Sequence, residues 1–147
     1  EGSNFLHYLG QFIIDFVDKD ILLATITLMW VAAIMSAAID NIPFTAAMIP
    51  ILLSLETQGV DITPLWWALA LGVGMGGNGT HIGSTANVYI VTVSERLARK
   101  EGNPDLAITP YKWAKIGLPV MILTLVICTI IMYLFFDFYS TPFPRTG

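Results

Sequence analysis

The chain has 147 residues, of which 55% are hydrophobic and 12% charged, and its formal net charge is −4. So large an apolar share excludes an ordinary soluble domain and predicts a polytopic membrane protein. The charges form no basic stripe, which argues against nucleic acid as a partner. The single cysteine, Cys128, allows neither a disulfide framework nor a cysteine metal site.

Residues 1–19 predict an amphipathic helix that lies in the membrane interface. Apolar side chains recur there at helical spacing, and residues 4–17 would extend only about 21 Å, which is too short to span a bilayer. A linker helix packed on protein fits the pattern equally well. The chain begins with Glu1 rather than Met and shows no signal peptide, so we expect a fragment or one piece of a split protein.

Residues 20–56 predict a re-entrant helical hairpin. The first apolar run, Ile21–Ile39, carries no charge and would extend about 28 Å, close to the hydrocarbon thickness. The second run, Ile42–Leu55, would extend only about 21 Å, which is too short to cross. We therefore expect Asp40 and Asn41 at the tip, at intermediate depth, with both arms opening on the same face of the membrane.

Residues 64–100 predict a transmembrane helix that is broken in the middle. Its segment Gly72–Asn87 reads GVGMGGNGTHIGSTAN, and each glycine costs a helix about 1 kcal/mol relative to Ala. An opened backbone is tolerated inside a membrane only where protein or a water-filled cavity satisfies it, which is where transporters bind their ligands. Close helix packing is the alternative for Gly72 and Gly76. We expect Gly79 to allow a conformation that a Cβ would forbid, or the close approach of an ion.

Residues 101–112 predict a cytoplasmic loop, and residues 113–137 a final transmembrane helix. Five of the seven basic residues lie between positions 96 and 115, so the positive-inside rule places the 96–115 loop in the cytoplasm. The run Leu118–Phe136 is uncharged and long enough to span. The hairpin opening and the C-terminus are then expected on the opposite side.

Two ionisable residues are candidates for a proton relay. Asp40 stands between two uncharged runs, and an ionisable group within a membrane marks an ion or proton path by default. The alternative is that Asp40 only caps the second arm at the membrane interface. His81 could relay protons near neutral pH, and a hydrogen-bonded structural role is equally consistent with the sequence.

Four helix ends are expected to meet at the centre of the membrane. The helix N-termini near Pro43 and Ser84 would favour an anion. The two C-terminal ends, together with oxygens of Ser36, Asn41 and Thr80, would suit a bare cation such as sodium. No Lys or Arg lies in this zone, so an anion would depend on the helix dipoles and on a bound cation.

Three segments carry a family resemblance: SAAIDNIPFTAAMIPILLSL, LWWALALGVGMGGNGTHIGSTANV and WAKIGLPVMILTLVI. They resemble the C-terminal half of the ArsB/NhaD-type family of arsenite permeases, sodium/proton antiporters and P protein-like transporters, within the ion transporter superfamily. The resemblance covers most of the chain beyond Asp20. It implies an all-α integral membrane fold of two inverted repeats, each with a re-entrant hairpin and a broken helix. It also implies a scaffold that dimerises and an elevator-like motion.

The resemblance also implies the residues that bind substrate and ions. These are Ser36, Asp40 and Asn41 at the hairpin tip, and Asn78, Gly79, Thr80, Ser84, Thr85 and Asn87 in the unwound segment. Candidate sodium ligands are Asn41, Asn78 and Thr80. One repeat and the scaffold helices are absent from these residues, so we expect the N-terminal half, as a separate chain or a missing segment, to complete the site.

Three functions are consistent with the sequence. The first is part of an ion-coupled secondary transporter that moves an anion or metalloid, or exchanges sodium for protons. The second is a non-transporting structural subunit of a larger membrane complex. The third is a dual-topology homodimer that supplies both repeats, against which the one-sided basic loop argues. We expect a lipid bilayer as the environment, a dimeric complete assembly, no enzymatic activity, and no cofactor beyond sodium or protons as coupling ion.

Overall fold

The computed structural model describes residue 8 and residues 20–141, and all regular structure in the latter range is helical. The helices are α1 (Ile21–Ala38), α2 (Asn41–Thr57), α3 (Thr63–Gly76), α4 (Thr85–Glu101), a short 3-10 helix (Pro104–Leu106), α5 (Pro110–Leu134) and α6 (Phe136–Tyr139). Two segments, Ile21–Ala38 and Pro104–Leu134, are long and apolar enough to cross a membrane. The predicted all-α membrane fold is confirmed. Apart from Tyr8, the interfacial helix predicted over residues 1–19 lies outside the described residues.

The helix boundaries follow from local capping. The Asp20 carboxylate accepts a hydrogen bond from the Leu22 amide at 2.8 Å and so starts α1. The hairpin turns at Ile39 and Asp40, and α2 begins directly afterwards. The final helix starts at Pro110 rather than at residue 113, because Thr109 caps it and proline suits its first turn.

Helices α1 and α3 run parallel and pack through small residues. Gly72 lies against the backbone of Met29, and Gly76 lies against the backbone of Ala33. A Cβ on Gly76 would stand 2.6 Å from the Cα of Ala33, so only glycine allows the two helices to approach this closely. These two glycines therefore serve helix packing, as the small-residue alternative predicts. Because α1 and α3 point the same way, α2 must carry the chain back between them.

The core is formed mainly by the first three helices. Helix α2 contributes one stripe of buried apolar side chains along one face, and α1 and α3 pack around this stripe with small and medium apolar side chains. The stripe consists of Phe44, Met48, Leu52 and Leu55. Helix α5 adds Met121 and Leu125, while most of its other apolar side chains are exposed. Exposed apolar surface on a membrane-length helix is suited to contact with lipid.

The chain connections lie at two opposite ends of the helices. A cavity of about 380 Å³ is lined by Ile21, Gln58, Pro64 and Ser140, among others. The hairpin opening, the start of α3 and the end of α6 therefore share one end. Helix α4 leads away from the break to the basic loop and ends at Gly102, whose φ of 63° is left-handed. Which of the two ends faces the cytoplasm stays a prediction.

Candidate functional site

Four helix ends meet where the hairpin tip contacts the glycine stretch. Helices α1 and α3 end there, and α2 and α4 begin there, so the terminal carbonyls and amides of four helices lie close together. The meeting point brings together six polar residues, which we call the tip-break cluster. They are Ser36, Asp40, Asn41, Thr80, Thr85 and Asn87.

Asp40 joins the hairpin to α4 and caps α2 at the same time. Its Oδ2 accepts a hydrogen bond from the Thr85 hydroxyl at 2.6 Å, and its Oδ1 accepts one from the Ile42 amide at 3.3 Å. Both partners are donors, which fits the ionised carboxylate, an acceptor-only group. Asp40 therefore caps α2, as the alternative interpretation of the sequence predicts. It also accepts a hydrogen bond from Thr85, which capping alone does not require.

Ser36 and Asn41 join the tip to the last turn of α3. The Ser36 side chain is fully buried; its hydroxyl donates to Asn41 Oδ1 and lies 3.1 Å from the Val73 carbonyl oxygen. The Asn41 amide in turn lies against Gly77, where a Cβ would stand 2.9 Å from both its oxygen and its nitrogen. Gly77 therefore leaves the space that Asn41 occupies.

The break consists of residues 77–84, between the end of α3 and the start of α4. Asn87 holds it from inside α4, since its Nδ2 donates to the carbonyls of Gly77 at 2.7 Å and Thr80 at 3.0 Å. The Thr80 hydroxyl donates to the Ala37 carbonyl in the last turn of α1. Ser84 caps α4 by accepting from the Ala86 amide at 3.3 Å. Protein groups thus satisfy backbone that would be costly to open inside a membrane.

Three predicted site residues stand apart from the cluster or act differently. The Asn78 side chain is exposed, and its carbonyl accepts a hydrogen bond from the Trp113 indole at 3.1 Å. This carbonyl therefore points towards α5. His81 is half-buried and makes no contact with Asp40 in the hydrogen bonds of the described residues. Gly79 has no left-handed φ, and the Met121 side chain packs against it.

The ligand chemistry of the cluster is that of hydroxyl, amide, carboxylate and carbonyl oxygens. Such oxygens suit hard cations. No group of three or more His, Cys, Asp or Glu suited to a metal ion is found among the residues that the structure describes. Asp40 is the one ionisable side chain in the cluster, so it supplies the formal negative charge. Gly77, Trp113 and Gly117 also shape this region, and glycine content and an aromatic residue near a helix end were their only signals in the sequence.

Comparison with known proteins places the chain among transporters. Residues 1–72 match the family model described as citrate transporter, CitMHS. The P protein of Mus musculus is 40% identical over 116 residues, which are 77% of this chain and 13% of that protein. The 46 kDa membrane protein of Mycobacterium leprae is 34% identical over 116 residues, 77% of this chain and 25% of that protein.

The chain is thus similar to the citrate transporter family over residues 1–72 and to the P protein over most of its length. A further relative, the P protein of Sus scrofa, is 49% identical over 82 residues, which are 54% of this chain and 10% of that protein. No solved structure matches the chain. The chain spans a quarter or less of the length of these three relatives.

Proposed function

We propose that this chain supplies one half of the ion and substrate site of a secondary transporter. The observation that carries the proposal is the tip-break cluster, where four helix ends, one carboxylate and several hydroxyl and amide groups converge. Discontinuous helices of this kind hold ligands in transporters, because their ends offer unpaired amides and carbonyls. The match to the citrate transporter model supports the same class of function.

The coupling ion in this proposal is sodium or a proton bound next to Asp40. A cation would exchange the Thr85 hydroxyl contact for direct contact with the carboxylate, with carbonyls of the α1 and α3 ends as further ligands. The substrate is an anion or metalloid that approaches the starts of α2 and α4, where helix dipoles favour negative charge. If no anion or metalloid is transported, the same carboxylate exchanges sodium for protons.

The hairpin is re-entrant in this proposal. Helix α3 has 14 residues and α4 has 17, or about 21 Å and 26 Å of helix on either side of the break. If this broken helix crosses the membrane, the tip that touches its break lies near mid-depth. The 96–115 loop is then cytoplasmic by its basic residues, and the hairpin opens on the other side. A second repeat completes the site, and the cluster moves against a dimeric scaffold in an elevator-like manner.

Replacement of Asp40 by Asn tests the proposal in the complete protein. We expect Asp40→Asn to fold and to lose sodium-dependent or pH-dependent uptake in proteoliposomes, because the amide carries no charge. Asp20→Asn is the matched control, since Asp20 caps α1 as Asp40 caps α2 but lies outside the cluster. Uptake with unchanged ion dependence in Asp40→Asn would rule out the coupling role.

A structural subunit without transport is the second candidate. It is favoured because the polar side chains already pair within the protein: no buried side-chain N or O atom of the described residues lacks a hydrogen-bond partner. Hydrogen exchange of the 76–87 backbone separates the two functions. Protection that rises with sodium supports a transporter, and protection that is indifferent to sodium and to protons supports the structural subunit.

A further inference from the structure

Trp113, in the first turns of α5, holds a backbone carbonyl of the break. Its indole Nε1 donates to the Asn78 carbonyl oxygen at 3.1 Å. The N–H of the same peptide unit, on Gly79, donates to the Gly76 carbonyl at 2.9 Å. The 78–79 peptide is therefore fixed at both of its polar atoms. An indole donates a single hydrogen bond and no other group on this ring can replace it.

The surface of α5 is shaped to receive the break. Trp113, Gly117 and Met121 follow one another at four-residue spacing and so lie on one face of the helix. A Cβ on Gly117 would overlap the Asn78 carbonyl oxygen and would stand 3.0 Å from the indole Nε1. One turn further, Met121 packs on Gly79, where a Cβ would stand 2.5 Å from its sulfur.

We infer that Trp113 is a positioning residue for the tip-break cluster, acting through the 78–79 peptide. Thr80 follows this peptide directly and donates to the Ala37 carbonyl at the end of α1. The Thr80 carbonyl also accepts from Asn87. Fixing the 78–79 peptide from the α5 side therefore fixes where both Thr80 groups point. The first turns of α5 move together with the break in any conformational change.

Two pairs of variants test the inference. Trp113→Phe keeps the aromatic ring and removes the N–H. Its control is Trp30→Phe, because the Trp30 indole makes the same kind of bond to α5, to the Thr129 hydroxyl at 3.0 Å, away from the break. Gly117→Ala keeps the indole and displaces the Asn78 carbonyl. Its control is Gly74→Ala, since a Cβ on Gly74 meets nothing within 4 Å.

The first readout is amide hydrogen exchange of residues 77–83 in the complete protein without added sodium. In Trp113→Phe and Gly117→Ala we expect exchange about threefold to tenfold faster, the size of one net hydrogen bond. Trp30→Phe and Gly74→Ala should leave it unchanged. Equal exchange in test and control variants would overturn the inference. Failure of both test variants to fold, with both controls folded, would also overturn it, because Trp113 would then be structural.

The second readout rests on the proposed function. In a transporting protein, Trp113→Phe should raise the sodium concentration for half-maximal uptake by a similar factor, about threefold to tenfold, and preserve the maximal rate. A loss of maximal rate with unchanged sodium dependence would contradict positioning. A wild-type protein without sodium-dependent or proton-dependent uptake would refute the proposed function. The exchange comparison would still decide whether Trp113 orders the break.

Discussion

At the crossing of α1 and α3, Gly72 and Gly76 lie in regular helix and let two backbones touch. Directly after this helix, Gly77 and Gly83 lie in the break and leave room for polar groups. The space beside Gly76 is filled by the backbone of Ala33, whereas the space beside Gly77 is filled by the Asn41 amide. One glycine-rich segment thus contains two different interfaces.

The difference predicts that the two sets of glycines tolerate substitution differently. A helix backbone cannot move aside without separating α1 from α3, so added volume there costs folding stability. In the break, Gly77 and Gly79 each have a side chain as their nearest neighbour, and a side chain can shift at a lower cost. Substitution there should act more on the cluster than on the fold.

The largest effect is expected for Gly76→Ala. The new methyl group would overlap the carbonyl oxygen of Ala33 and lie 2.6 Å from its Cα. We expect a loss of about 3 kcal/mol or more of unfolding free energy, at the upper end of overpacking costs. Thermal unfolding in detergent measures it. A melting temperature equal to that of the wild type would show that the helices do not cross here.

The second-largest effect is expected for Asn87→Ala, which tests how the break is held. It removes the Nδ2 group that donates to both the Gly77 and the Thr80 carbonyls, and leaving these partly buried acceptors unpaired costs about 1–3 kcal/mol. Asn103→Ala is the control, since Asn103 makes an exposed bond to the Asp105 amide. Faster hydrogen exchange confined to residues 77–84 is the expected signature. Similar exchange in both variants would mean that Asn87 does not hold the break.

Gly79→Ala should cost less, about 1 kcal/mol, because Met121 is flexible and can move away from the new methyl group. In the proposed transporter, sodium binding should weaken more than stability, since Thr80 is adjacent. A double-mutant cycle with Met121→Ala checks the contact, because the two costs should not add if the side chains meet. If the losses of unfolding free energy add, the methyl group at position 79 does not contact Met121.

Gly74→Ala is expected to stabilise the protein. Gly74 lies in α3 with open space around its Cα, so a methyl group gains helix propensity of up to about 1 kcal/mol and meets no neighbour. Its melting temperature should rise slightly and its ion dependence should stay unchanged. A destabilised Gly74→Ala protein would indicate that another element covers this face in the complete assembly.

Much of the fold could be predicted from the sequence, because it depends on local patterns. Uncharged runs, the Asp40 turn and the glycine stretch are visible residue by residue, and the helices begin and end close to them. Helix packing at Gly72 and Gly76 was visible as the small-residue alternative, but the neighbours of Gly77, Gly79 and Gly83 were not predictable, since they depend on which atoms face each glycine. The Asn78 carbonyl is a further case, because a backbone oxygen carries no sequence signal. Trp113 resembled an ordinary aromatic residue near a helix end until its partner was known.

The parallel pairing of α1 with α3 also sets the order of events during synthesis. The Ala37 carbonyl at the end of α1 receives its partner only from Thr80, 43 residues later. At about 5–20 residues per second, the ribosome needs roughly 2 to 9 s to supply it. During that interval α1 is already apolar enough to enter the bilayer, while the polar end that it shares with Asp40 has no partner. We therefore expect the nascent hairpin to be sheltered by the insertion machinery, or to wait at the membrane surface, until the glycine stretch emerges.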